Sequence, residues 1–161
     1  MHKEVPLFPK LRFAAFIFAI LLCAYACNND DDTGSCDGSP REFTDLEAEY
    51  GCSNTENAMS IGIENDFIII SSQQWFDSLV TGFCNPVIDF DTYDLIIGRQ
   101  TLNSGVDDIN YSYRRACPTR RYELRVTFTL NDATVAPTLT YHILVPKIAD
   151  DEAVDVLIET N

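Results

Sequence analysis

The hydrophobic and polar positions of this chain change their pattern twice. From Phe13 to Leu22 ten apolar residues run without a charge, and counted through Ala26 the run has fourteen residues. Asn28 to Glu42 is polar, with Gly34, Gly38 and Pro40. Such a stretch cannot bury enough apolar surface to fold alone and reads as a flexible linker. After Phe43, alternation with a period of two takes over. Leu46, Ala48 and Tyr50 alternate with Glu47 and Glu49 and predict a half-buried edge strand ending at Gly51. Ala58 to Ile63 predicts a second short strand, and the unbroken run Phe67 to Ile70 predicts a central one. A helix follows, with Ser71 and Gln74 as a capping box, Trp75, Phe76, Leu79 and Val80 on one face, and Gly82 as its end. Trp75 is expected to pack this helix onto the sheet.

From Val87 the pattern is strand after strand. Tyr93 to Leu102 carries Leu95, Ile96 and Ile97, and Asn103 to Gly105 forms a turn into alternating Ile109, Tyr111 and Tyr113. Tyr122, Leu124, Val126, Phe128 and Leu130 alternate with Glu123, Arg125, Thr127 and Thr129. Leu139, Tyr141, Ile143 and Val145 face one way while Thr140 and His142 face the other, and Val154, Val156 and Ile158 close the chain. The fold predicted is mainly β, an antiparallel β-sandwich or open barrel of about seven to eight strands with one short α-helix.

The N-terminal apolar run follows the basic residues Lys3, Lys10 and Arg12. It has the length of a secretory signal core and falls short of the roughly 18 to 20 residues of a bilayer-spanning helix. Ala24-Tyr25-Ala26-Cys27 resembles a bacterial lipobox. That resemblance implies a lipoprotein signal peptide over 1–26, a lipidated Cys27 with an acidic linker over 27–42, and a single exported domain over 43–161. Lipid chains on Cys27 would hold the protein to a membrane, each buried methylene contributing about 0.8 kcal/mol. Asn28, Asn29, Asp30, Asp31 and Asp32 resemble the signal that places some Gram-negative lipoproteins on the outer surface. The location expected is therefore the outer membrane, exposed at the cell surface, with its periplasmic face as the alternative.

Charge and cysteines narrow the class further. Removing Lys3, Lys10, Arg12 and Glu4 from 11 basic and 25 acidic residues leaves 8 and 24, a formal charge of −16. A body so acidic repels nucleic acid, so no nucleic-acid partner is expected. Beyond Cys27, Cys36, Cys52, Cys84 and Cys117 form an even set in an oxidising compartment, and three disulfide pairings are open. Cys84 with Cys117 is favoured because both lie in turn-like segments beside Pro86 and Pro118, leaving Cys36 with Cys52. Gaps of 15, 31 and 32 residues lack the close ligand pairs of a structural zinc site.

At Ile88 to Gln100 (IDFDTYDLIIGRQ) and Thr140 to Ile148 (TYHILVPKI), supported by EYGCSN from Glu49 and SGVDDINY from Ser104, the chain resembles a group of uncharacterised Gram-negative surface lipoproteins. It is more distantly similar to the C-terminal domain of the protease-complex subunit family PrcB. The Gly-Gly-Tyr expected there after the central strand is replaced by Ser104, Gly105 and Val106. The nearer group implies fold and location, and no activity.

Candidate chemistry is sparse. His142 is the one histidine of the exported domain and is expected at the surface or half-buried, without the partners of a catalytic constellation. No Gly-x-Ser-x-Gly elbow surrounds a serine. Asp89, Asp91 and Asp94 lack the glycine and distal glutamate of a calcium loop and read as turn solvation. No catalytic residue, metal or cofactor is expected. Arg114, Arg115, Arg120 and Arg121 flank Cys117 and Pro118, with Tyr111, Tyr113 and Tyr122 beside them. Those arginines either grip carboxylates or sulfated sugars, or neutralise the protein's own acidic faces. The function expected is a non-enzymatic, lipid-anchored interaction module or accessory subunit with a protein partner in the cell envelope. The alternative is a small-ligand or glycan-binding surface lipoprotein.

Overall fold

A sheet that is apolar on both faces forms the middle of the domain. The computed structural model describes residues 38–161, Pro118 and Arg120 excepted, and these fall in one unit, Cys36–Asn161. In chain order the elements are α1 (Leu46–Tyr50), α2 (Thr55–Ala58), β1 (Met59–Ile61), β2 (Asp66–Ile70), α3 (Gln73–Leu79), β3 (Val80–Gly82), β4 (Tyr93–Thr101), β5 (Val106–Ala116), β6 (Arg121–Leu130), β7 (Thr138–Pro146) and β8 (Ala153–Thr160). They form three sheets, ordered β1-β3, β2-β4-β7 and β5-β6-β8. The domain is mainly β and none of the sheets closes into a barrel.

The middle sheet β2-β4-β7 is antiparallel, with Ile96 opposite Ile143 and Ile69 opposite Ile96. One face sends Ile96, Leu139, Tyr141, Ile143 and Val145 into a core shared with Leu124, Val126, Phe128 and Val154 of the β5-β6-β8 sheet. The other sends Leu95, Ile97 and Leu144 into a second core with Leu46, Met59, Ile61, Phe76 and Val80. Burial on both sides explains the continuous apolar runs of β2 and β4, since neither face has to meet water. Gly98 follows from the same packing: a Cβ there would strike the Tyr141 ring and the Asp66 carbonyl. The β5-β6-β8 sheet has one core face only, so β6 keeps the strict alternation that marks a half-solvated strand.

Several expectations are corrected. Leu46–Tyr50 is a helix, because Asp45 caps it by accepting from Ala48 N–H at 2.7 Å and Gly51 ends it with φ of 70°. Strand β2 lies at the edge of its sheet, paired to β4 alone. Strand β8 runs parallel to β6, so the domain is not purely antiparallel. The described residues hold three short helices where one was expected. The α3 cap is Ser72, whose hydroxyl accepts from Trp75 N–H at 3.4 Å, and α3 ends at Leu79, before Gly82. Phe76, fully buried, anchors α3, while Trp75 stands 56% exposed.

Candidate functional site

The lead-in segment before α1 crosses from one sheet to another. Pro40 bridges to Arg114 of β5 and Thr44 bridges to Leu144 of β7. Arg41 N–H donates to the Tyr113 carbonyl at 2.8 Å, and Thr44 exchanges backbone hydrogen bonds with Leu144 at 2.9 and 2.8 Å. Laced this way, the segment roofs a cleft of about 370 Å³ whose lining includes Arg41, Glu42, Tyr113, Tyr122 and Lys147. Tyr113 and Tyr122 sit on adjacent strands and stack with centroids 5.2 Å apart. The Tyr122 hydroxyl lies 3.2 Å from both Glu152 oxygens. Burial pushes the pKa of both tyrosines up, and the Arg41 charge pulls both back down. Arg41 thus lines the same cleft as the tyrosine pair.

Of the arginines and tyrosines singled out in the sequence, the described arginines stay at the surface but are paired with the protein's own carboxylates, while the tyrosines are buried or half-buried. Arg114 pairs with Glu123 at 2.5 Å, Arg115 with Glu152 at 3.4 Å, and Arg121 with Asp155 through two contacts. The Arg121 pair holds the Asp155 carboxyl below its ordinary range. Tyr111 is pushed well above the usual phenol range by burial and accepts from the His142 backbone N–H at 3.4 Å. Tyr113 is only 3% exposed. Arg120 lies outside the described residues, as do Cys27 and Cys36.

The favoured disulfide pairing is overturned. Cys84 pairs with Cys52, their Cα atoms 5.7 Å apart, and Cys117 is disulfide-bonded without Cys84. The α1 C-terminus and the loop after β3 are brought together by the second core, which no spacing argument could foresee.

His142 is corrected as well, since it is 2% exposed. Its face of β7 is covered by the layer of α1, α2 and β1, a contact visible in Thr140 Oγ1 donating to the Met59 carbonyl at 2.7 Å. The imidazole Nε2 lies 2.7 Å from Thr55 Oγ1, which lies 2.7 Å from Glu47 Oε1. Thr55 and Glu47 were not singled out from sequence. A Thr-His-Glu contact set has the residue types of a nucleophile and base, but here the hydroxyl sits between the other two instead of at the end of a relay, and Thr55 is buried. The arrangement joins α1, α2 and β7. Asp89, Asp91 and Asp94 do not converge: Asp89 accepts from Asp91 N–H and Thr92 Oγ1, whereas buried Asp94 accepts from Lys147 Nζ at 2.5 Å and Ile148 N–H at 2.8 Å. Among the described residues no group of three or more His, Cys, Asp or Glu side chains could hold a metal ion.

A different kind of surface lies on α3 and the loop that follows. Four of the seven large hydrophobic side chains exposed among the described residues fall between positions 75 and 87: Trp75, Leu79, Phe83 and Val87. Gln73 staples the loop back to the start of α3, donating to the Pro86 carbonyl at 3.1 Å and accepting from Ile88 N–H at 2.9 Å. The Cys52–Cys84 disulfide fixes the same loop. The side chains are thus exposed on a braced backbone. No protein-family model, curated protein or solved structure matches the chain.

Proposed function

We propose that this is a lipid-anchored protein of the cell envelope whose β domain acts without catalysis, as a docking module for another protein. The observation that carries the reading is the exposure of Trp75, Leu79, Phe83 and Val87 on a segment held by a disulfide and a glutamine staple. Large apolar side chains kept in water on a rigid frame mark a binding surface, because a folded chain gains by burying them wherever it can. The charge of the stretch that carries them supports a basic partner. Residues 42–98 contain eleven carboxylates and no lysine or arginine. Arg99 is the first cation after them, and it lines a hollow with Leu79 and Glu64. The occupant is an apolar segment of another polypeptide bordered by basic residues, a choice supported by the carboxylate-rich stretch that carries the four side chains. Cys27 carries the lipid, and the linker holds the domain off the membrane.

The test places a photo-crosslinking amino acid at Phe83 in the full-length chain, expressed in its native envelope. A discrete adduct to a different polypeptide is expected, with the crosslinked peptide both apolar and basic. A synthetic copy of that peptide should bind at least tenfold more weakly to Leu79→Ser and Phe83→Ser variants, and more weakly as salt rises. The same crosslinker at exposed Val135 serves as control. Adducts to lipid only, to a second copy of this chain, or equally from position 135 overturn the reading. Fatty-acid labelling that survives in Cys27→Ser would remove the anchor from it.

A further inference from the structure

The cleft beneath the lead-in segment has a composition that a protein-docking surface does not need. Its walls combine two aromatic rings, two cations and a carboxylate in a volume of about 370 Å³, near the lower end for small-ligand pockets. Most of these parts are held in place. Lys147 is fixed by Asp94 at 2.5 Å and by its own N–H donating to the Thr92 carbonyl at 3.2 Å. The Tyr122 ring is held by its stack on Tyr113 and its hydroxyl by Glu152, which also accepts from Arg115 at 3.4 Å. Arg41 is positioned by the backbone bond of its N–H to Tyr113. The aromatic wall and Lys147 are therefore ordered before a ligand arrives, while the exposed side chains of Arg41 and Glu42 stand on a backbone that is held.

Each wall selects for something. Aromatic rings favour a flat apolar face such as the C–H face of a sugar ring. The guanidinium of Arg41 offers paired donors to a carboxylate, and the ammonium of Lys147 offers donors beyond the one that Asp94 engages. Glu42 repels a bare anion but accepts hydrogen bonds from hydroxyl groups. A plain anion would meet Glu42 unfavourably, and a plain sugar would leave the Arg41 charge unanswered. We infer that this cleft binds a carboxylate-bearing sugar ring of the uronic-acid class, with the ring against Tyr122, which buried Tyr113 backs, the carboxylate on Arg41 and a hydroxyl on Glu42. The inference is independent of the docking surface on α3, since the two share no residue.

The experiment is a saturation-transfer NMR titration of the full chain in detergent with three probes: D-glucuronate, D-glucose and sodium sulfate. Glucuronate is expected to saturate, with transfer strongest at its ring protons, and to bind at least fivefold more tightly than glucose. Sulfate should displace it only weakly. Arg41→Gln, at an exposed position, should erase the preference over glucose. Tyr122→Ala should abolish binding of both sugars, with Tyr122→Phe as the variant that keeps the stacked ring. Arg125→Gln and Phe83→Ser should leave the titration unchanged, which separates this site from the docking surface. No saturation by glucuronate, equal affinity for glucose, displacement by sulfate at matching concentration, or indifference to Arg41→Gln would each overturn the inference.

Discussion

Thr55 has one hydroxyl proton and two close neighbours, Glu47 Oε1 and His142 Nε2, each 2.7 Å away. A carboxylate is the stronger acceptor, so the hydroxyl donates to Glu47 and accepts from the His142 Nε2–H. This places the imidazole lone pair on Nδ1, which is buried and has no hydrogen-bond partner among the described residues. A second proton would have to be added there, away from water. Burial accordingly lowers the His142 pKa, outweighing the opposite pull of Glu47, Asp45 and Glu56. Above about pH 6.5 the ring is neutral in both folded and unfolded chains, so its contribution to stability is constant. As pH falls below that value the unfolded chain takes up a proton that the folded one refuses, and stability drops by up to about 1.4 kcal/mol per pH unit until the folded pKa is reached. Urea unfolding at pH 7.5, 6.5 and 5.5 should show this loss in the natural chain and a flatter profile in His142→Gln. Equal slopes would remove His142 from the account. Alternation in the sequence assigned His142 to the correct face of β7. What it could not disclose is that α1, α2 and β1 cover that face, because coverage depends on the packing of distant segments.

At the level of elements, the strands with one wet face were legible and those with none were ambiguous. Strand β6 alternates from Tyr122 to Leu130 because Glu123, Arg125 and Thr127 face outward while Leu124, Val126 and Phe128 are buried. Strand β2 reads as four apolar residues in a row, a pattern that gives no hint of whether the strand is central or at an edge. In Leu46–Tyr50 five residues are too few for the period to decide, and the cap residues Asp45 and Gly51 were the better signal. The helix α3 was found from its spacing, yet that spacing could not say which of two adjacent aromatics faces the core. The structure answers with Phe76, fully buried, over Trp75. Phe76→Ala should therefore lower unfolding stability by about 3–5 kcal/mol, the usual cost of emptying a large core site. Trp75→Ser should stay within about 0.5–1 kcal/mol, as surface changes do. Equal losses in denaturant melts would restore Trp75 to the core. The residues of the cleft divide in the same way: Tyr113 and Tyr122 stood out in a strand pattern, whereas Arg41 lay in a segment that read as linker and becomes ordered only through its bonds to β5 and its neighbours' bonds to β7.

Across the whole molecule, the two cores differ in how they are joined to the rest. The core between the middle sheet and β5-β6-β8 is enclosed by long strands with extensive ladders, nine residue pairs between β4 and β7 among them. The other is roofed by short pieces, α1, α2, β1, α3 and β3, whose longest member is seven residues. Elements this short gain little from their own hydrogen bonds and rely on packing and covalent constraint. The Cys52–Cys84 disulfide supplies that constraint, joining the end of α1 to the loop after β3 across a sequence separation of 32. Closing a loop of that length restricts the unfolded chain by roughly 3–4 kcal/mol in the chain-entropy account. Replacing both cysteines by serine should lower stability by about that amount, and the loss should be uneven. Hydrogen exchange should rise first in α1, α3 and β3, whose native contacts the bridge holds, while the paired amides of β4 and β7 keep their protection until global unfolding. The exposed side chains Phe83 and Val87 would lose their fixed frame in the same variant, so binding at the docking surface should weaken together with exchange protection there. The cleft under the lead-in segment, built on β5, β6 and β7, should keep its ligand affinity. An even loss of protection across both cores would mean that the outer layer is no separate unit, and that the disulfide acts on the domain as a whole.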